Sequence, residues 1–216
     1  FFSTYALWKN KVSVLVGDYL LAKGLLLSLD HDDFRILQLL SGAVRKMSEG
    51  ELLQIEKARS LNLDESVYFE IIRNKTASLL ASACAAGAYS SSGNEQLSDK
   101  LSRFGEAVGV AFQIKDDLFD YGDEQTGKPS GNDLKERKLT LPLIYTLNTV
   151  EKSLRRELIY IIKNQNRNPG KIKYVTGKVV EAGGIRYATE KMNQYRDDAL
   201  AILYEFDDSE VRKGLE

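Results

Sequence analysis

Apolar residues recur along most of the chain at three- and four-residue intervals, the period of a helix with one buried face. The first run starts at a Ser3 or Thr4 cap and reaches about Leu29, through Leu7, Trp8, Val12, Leu15, Val16, Tyr19 and Leu20. Its apolar stripe is wide, which predicts burial on more than one side. Asp18 falls within that stripe, either as a satisfied core aspartate or as a pocket acid. The polar turn Asp30-His31-Asp32-Asp33 leads into a second helix, about Asp33 to Ala58, with Glu51 and Gln54 on one solvated flank. A third helix begins near Asp64, capped by Asp64 or Ser66, and small residues fill its second half. Lys75 and Thr76 sit in the middle of this apolar helix. A lysine there either snorkels to water or points its ammonium into a polar cavity, and the local sequence leaves both open.

A loop over 90–94 precedes a fourth helix, opened by Asn94 or Ser98, that runs through Phe104, Val108 and Phe112 to Asp120. Tyr121, Gly122 and Asp123 end it, and a Gly-rich loop continues through Pro129 to Asp133. Further helices are expected at about Leu141–Val150 with Thr140 as cap, Ser153–Lys163, Lys171–Glu181 and Ile185–Phe206, with a terminal piece from Asp208 or Ser209. Three prolines in 216 residues, short connections and the lack of an internal repeat predict one large all-α bundle.

Composition narrows the function. Hydrophobic residues make up 43% and charged residues 28%, the balance of a globular chain. Thirty basic residues against 31 acidic ones give a net charge of -1, so nucleic acid is not an expected partner. One cysteine, Cys84, excludes an intrachain disulfide and a cysteine metal cluster, and its place in LLASACAAGA predicts a small buried helix residue. The one histidine, His31, lies in a polar turn and is expected at the surface. No signal peptide and no apolar run of spanning length are expected, because Lys, Asp or Arg interrupt the apolar segments. A cytoplasmic protein without a transmembrane segment is the expectation. The chain opens at FFSTYALW without a methionine and stops at EVRKGLE within a helical pattern, so both ends are expected to be cut.

The concentrated chemistry lies between Phe104 and Pro142. Asp116 and Asp120 are four residues apart, and Asp117 and Asp120 three apart, so one helix face can present them. Crowded carboxylates repel unless a cation sits among them. Hard oxygen donors of this kind suit Mg²⁺, which is usually shared with substrate phosphates. A solvated acidic helix end is the plainer reading of the same three residues.

The surrounding blocks resemble one family. FQIKDDLFDY followed by GKPSGNDLKERKLTLP resembles the second aspartate-rich region of trans-isoprenyl diphosphate synthases. ALWKNKVSVLVGDYLLAKG is similar to the helix after that family's first aspartate-rich motif, EGELLQ to its GE-containing helix, and NKTASLLASACAAGA to its Lys-Thr helix. All four blocks stand in the family's order, and they are most similar to the long-chain, all-trans, octaprenyl diphosphate synthase-like members. The resemblance implies the isoprenoid synthase bundle with a central apolar cavity over residues 1–216. It also implies a prenyltransferase that ionises an allylic diphosphate, joins it to isopentenyl diphosphate and repeats the cycle. Asp116, Asp117 and Asp120 are then implied to hold Mg²⁺, with Asp120 binding directly or through water. Lys75, Lys128 and Lys138 are implied to contact the diphosphate, and Thr76 and Gln113 to face the reacting carbon. On this view Lys75 points into the cavity. Leu79, Leu80, Val108 and Phe112 are candidate linings for the growing chain.

Arg137 departs from the family, where a small residue is common, although Lys138 stays in register. The family's first aspartate-rich motif would lie immediately before Phe1, so the 216-residue chain alone is expected to be inactive. A homodimer is implied. The rival reading is a non-catalytic binding subunit of a heteromeric prenyl synthase, and the sequence upstream of Phe1 discriminates the two. A terpenoid cyclase is disfavoured by the GKPSGND…KLTLP segment, and a bare helical scaffold by the acid-lysine array.

Overall fold

The computed structural model describes residues 4–60, 64–122 and 131–216, without the side chains of 4–10 and 59–60. Every regular element among the described residues is helical. Two long helices come first, α1 (Thr4–Asp30) and α2 (Phe34–Ser60). The turn between them closes through the Asp33 amide on the Ser28 carbonyl at 2.8 Å, with Asp32 in the left-handed region. His31 is exposed there, its Nδ1 2.9 Å from the Leu27 carbonyl.

Next come α3 (Glu65–Ile72), a π-helical turn over Arg73–Ala77, and α4 (Ser78–Ser92). The π-turn interrupts what the sequence pattern reads as one uniform helix. Gly93, at φ 63, closes α4, and the Asn94 side chain caps α5 (Glu95–Phe119) by accepting from the Gln96 and Leu97 amides. The remaining helices are α6 (Asn132–Lys135), α7 (Leu141–Thr149), α8 (Lys152–Asn164), α9 (Pro169–Glu181), α10 (Gly184–Leu203) and α11 (Glu210–Leu215).

Helix α5 is the central strut, packed against α4 on one side and α10 on the other. One core gathers Tyr68, Ile72, Val110, Ile114, Leu141, Ile144 and Leu158, and a smaller one joins Phe104 and Ala107 to Ala199 and Leu203. Two glycines bring the helices to backbone contact at the π-turn. A Cβ on Gly50 would lie 2.6 Å from the Lys75 nitrogen, and one on Gly109 would lie 2.5 Å from the Ala77 Cα. Only a residue without a side chain allows this approach.

Several expectations are corrected. Helix α1 packs against α2 but leaves most of its stripe open, with Tyr19 64% and Leu20 62% exposed. Asp18 is exposed and is therefore neither a core aspartate nor a pocket acid. Lys11–Asp30, at mean hydropathy 1.7, is long and apolar enough to cross a membrane by length and composition, contrary to the expectation that no run qualifies. Asp18 and Lys23 are the only charges inside its ends, too few to break the run. The short helix α6 falls where a loop was expected. Helix α9 starts earlier, at Pro169, because Asn168 accepts from the Lys171 amide. Cys84 is half-buried rather than buried, and burial pushes its thiol pKa up.

Candidate active site

The site is assembled where the last turn of α5, the π-turn and the segment after α6 meet. At its centre is Asp117, fully buried near the end of α5. Three side chains from different parts of the chain donate to it. The Tyr68 hydroxyl, from α3, reaches Oδ2 at 2.9 Å. The Lys138 ammonium reaches Oδ1 at 3.1 Å, and the Gln113 amide reaches the same oxygen at 3.2 Å. The other end of the Gln113 amide accepts from the Thr76 hydroxyl at 2.9 Å. Lys138 is shared with Asp133 at 3.3 Å.

Burial fixes the protonation pattern. It pushes the Asp117 pKa above the usual carboxylate value, against the opposing pull of Lys138 and Tyr68. Burial works against the Lys138 ammonium too, but Asp117 and Asp133 outweigh it, and the Lys138 pKa ends above its ordinary value. The Tyr68 phenol is driven well above its ordinary value, first by burial and then by Asp117, and so stays a proton donor.

Asp120 does something different. Its Oδ1 accepts the Asn132 amide at 2.8 Å and its Oδ2 the Asp133 amide at 3.2 Å, while its carbonyl accepts from Gly131. The carboxylate thus ties the start of α6 to the end of α5. Gly131, at φ 80, lets the chain turn there. Burial and the nearby Asp133 charge push the Asp120 pKa up. The α6 turn is closed at its far end by Asn166, whose amide donates to the Lys135 carbonyl at 2.6 Å. Arg137 follows in the left-handed region at φ 59, and this bend sets Lys138 on Asp117. Glycine adopts this conformation at least cost, so Arg137 bears backbone strain here. Thr140 flanks α7 as expected, yet its hydroxyl makes no cap bond and pairs with the Tyr121 hydroxyl.

Lys75 lies on the other side of the π-turn. Its ammonium is 2.6 Å from Glu51 and 3.1 Å from Gln54, both on α2, and its side chain is 37% exposed. Glu51 and Gln54, read as a solvated flank, are therefore its anchors. The π-turn divides the labour, directing Lys75 to α2 and Thr76 to α5. Asp116 is half-buried on α5. Lys128 lies outside the described residues.

Two participants escaped the sequence reading, Tyr68 and Asp133. Tyr68 carried a faint signal, one hydroxyl among Phe69, Ile71 and Ile72. Asp133 stood in the recognised GKPSGND block without a role. Of the candidate lining residues, Val108 and Phe112 border a groove of about 400 Å³ between α5 and α10, with Met192 and Leu200 opposite. Leu79 and Leu80 are not part of that groove, and Leu79 is largely exposed.

The donor set is chemically suited to Mg²⁺, being carboxylate oxygen. Among the described residues, however, no three His, Cys, Asp or Glu groups converge into a metal cage. Mg²⁺ ordinarily needs only one or two protein carboxylates and completes its shell with water and phosphate oxygens. Asp117 and Asp120 already accept hydrogen bonds on both oxygens and so suit water-mediated contact with the ion, while Asp116 is only half-buried; the residues present fit that partial mode of binding.

Comparisons with known proteins bear on this geometry. The family model described as polyprenyl synthetase matches residues 2–179. The chain is 32% identical over 212 residues to the all-trans-nonaprenyl-diphosphate synthase (geranyl-diphosphate specific) of Rhodobacter capsulatus, covering 97% of this chain and 64% of that protein. A crystal structure of geranylgeranyl pyrophosphate synthase from Bacteroides thetaiotaomicron superposes with a TM-score of 0.86 at 40% identity, over 97% of this chain and 70% of the other. A polyprenyl synthase from Caulobacter crescentus, complexed with calcium and isoprenyl diphosphate, gives a TM-score of 0.88 at 33% identity, over 98% and 65%. The chain thus spans about two thirds of the length of each of these three proteins.

Proposed function

The chain belongs to the polyprenyl synthetase family, and from that premise we propose that it forms one wall of a prenyltransferase site. The reaction condenses an allylic diphosphate with isopentenyl diphosphate and yields an all-trans polyprenyl diphosphate. The observation that carries this reading is the joined set Thr76, Gln113, Asp117 and Lys138, which places two side-chain oxygens and a fixed cation around the end of α5.

The demanding step is breaking the carbon–oxygen bond of the allylic diphosphate. The bonding pair leaves on the diphosphate oxygen, and an allylic cation remains. A preorganised positive charge stabilises the leaving group without having to reorganise during the reaction. Lys138 is such a charge, since Asp117 and Asp133 hold its ammonium in place. Lys75, anchored by Glu51 and Gln54, and Lys128 would contact the same diphosphate. A lysine is a compact point charge suited to this task. Bound Mg²⁺ would add Lewis-acid neutralisation of the diphosphate oxygens, held by Asp116, with Asp117 and Asp120 acting through water because both oxygens of each already accept hydrogen bonds. Thr76 and Gln113 would turn their oxygens toward the allylic cation. The double bond of isopentenyl diphosphate then attacks that cation, and loss of a proton restores an alkene.

Lys138→Met tests the assignment. In the protein at the full length of its relatives, turnover of radiolabelled isopentenyl diphosphate into prenyl product is expected to fall about a hundredfold or more, the usual scale for removing one preorganised charge. An unchanged rate would contradict the role given to Lys138.

A further inference from the structure

We propose that Tyr68 is a positioning residue for the diphosphate site, its phenol setting the Asp117 carboxylate that in turn aims Lys138 and fixes the Gln113 amide. The inference rests on the roles just given to Lys138 and Gln113. The donors on Asp117 differ in how far they can move. Lys138 and Gln113 both bind Oδ1, and both are long side chains with several free torsions. Tyr68 alone holds Oδ2 among the contacts described, and it is 3% exposed. Its ring packs edge-on against Phe69 at 5.4 Å, within the main core. A rigid, core-embedded donor therefore determines the plane of the carboxylate, and the two mobile donors follow it.

The consequence passes along the amide. A carboxylate only accepts, so Gln113 must offer Asp117 its nitrogen and turn its oxygen toward Thr76. That oxygen is one of the two assigned to the allylic cation. Tyr68 therefore acts on the reacting carbon through two intermediaries and need not touch substrate. It also borders a pocket of about 30 Å³ that Gln54 and Lys138 share. Gln54 is one of the anchors of Lys75. An anchor of Lys75 and the Lys138 side chain thus line one small pocket with Tyr68.

Tyr68→Phe removes one oxygen and keeps the ring, so the fold is expected to survive, with melting lowered by roughly 5 °C. The decisive readout is calorimetric titration of inorganic pyrophosphate in Mg²⁺, made on wild type, Tyr68→Phe, Asp117→Asn and the double variant. Tyr68→Phe is expected to weaken pyrophosphate binding about tenfold, as for loss of a hydrogen bond to a charged group. On the Asp117→Asn background it should add less than about twofold, because the group it positions is already altered. A purely structural tyrosine would lower melting in both backgrounds and leave pyrophosphate affinity unchanged, and that result overturns the inference. An equal loss in both backgrounds overturns it too. Absence of prenyl product from the wild-type protein at the full length of its relatives would instead overturn the functional reading, while the pyrophosphate cycle still decides the role of Tyr68.

Discussion

At the scale of single residues, Asp117 and Lys138 form a buried ion pair whose worth lies in placement. A pair of this kind gains little net stability, because desolvation offsets attraction, and Lys138 keeps Asp133 when Asp117 is removed. Asp117→Ala is expected to cost about 1–3 kcal/mol in chemical denaturation, because it leaves the buried Tyr68 hydroxyl without its acceptor, and Asp116→Ala, at a half-buried position, less than about 1 kcal/mol. Both should depress turnover. The alkaline limb follows from the same burial. Tyr68 and Tyr121 keep their protons in the fold well above the ordinary 10.0, while the unfolded chain loses them there. The ion-pair stability of Lys138 is complete below 10.5 and is lost as pH rises through its higher folded value. All three effects have one sign, since the folded state binds more protons than the unfolded one. Denaturation midpoints should fall from about pH 10 upward, and Tyr68→Phe should flatten that fall. A midpoint constant to about pH 11 would contradict the assignment.

At the scale of elements, the π-turn between α3 and α4 is the device that shows Lys75 to α2 and Thr76 to α5. It is clamped by Gly50 on one side and Gly109 on the other. Gly109→Ala is expected to destabilise by about 1–3 kcal/mol, since the added carbon meets backbone and cannot be accommodated by a side-chain rotation. Gly87→Ala, with nothing within 4 Å of the new carbon, should instead stabilise by up to about 1 kcal/mol. Equal effects at the two sites would dispose of the clamp. Arg137→Gly should gain roughly 1 kcal/mol by relieving the left-handed bend, with Lys138 still paired.

The same elements show what the sequence could reveal. The spacing of Asp116, Asp117 and Asp120 put them at one helix end, and the lysines stood in a recognisable block. The helical pattern could not show the π-turn, because one wider turn barely disturbs an apolar stripe. Nor could it show Tyr68 as a partner of Asp117, because the two are 49 residues apart in the chain. Asp120 was legible as an acid but not as the clasp of α6, since that role depends on where two later amides arrive.

At the scale of the molecule, the main surprise is α1. Its period identified a helix and its wide stripe demanded cover, yet periodicity says nothing about what supplies the cover. Val14, Leu15, Tyr19, Leu20, Leu26 and Leu27 are all exposed on one helix, and large exposed apolar surface marks an interaction face. We propose that a second copy of the chain covers it, as the family resemblance implies. Light scattering is expected to report a dimer, and Leu15→Asp with Leu20→Asp a monomer; a monodisperse wild-type monomer would refute the arrangement. The central claim, that this wall of charges and oxygens promotes Mg²⁺-assisted ionisation of an allylic diphosphate, has a more direct test. It is incorporation of radiolabelled isopentenyl diphosphate, with an allylic primer and Mg²⁺, by the protein at the full length of its relatives, with the products separated by size. The account predicts a polyprenyl diphosphate whose formation stops when Mg²⁺ is chelated. No prenyl product, or a product formed equally well without Mg²⁺, would contradict it.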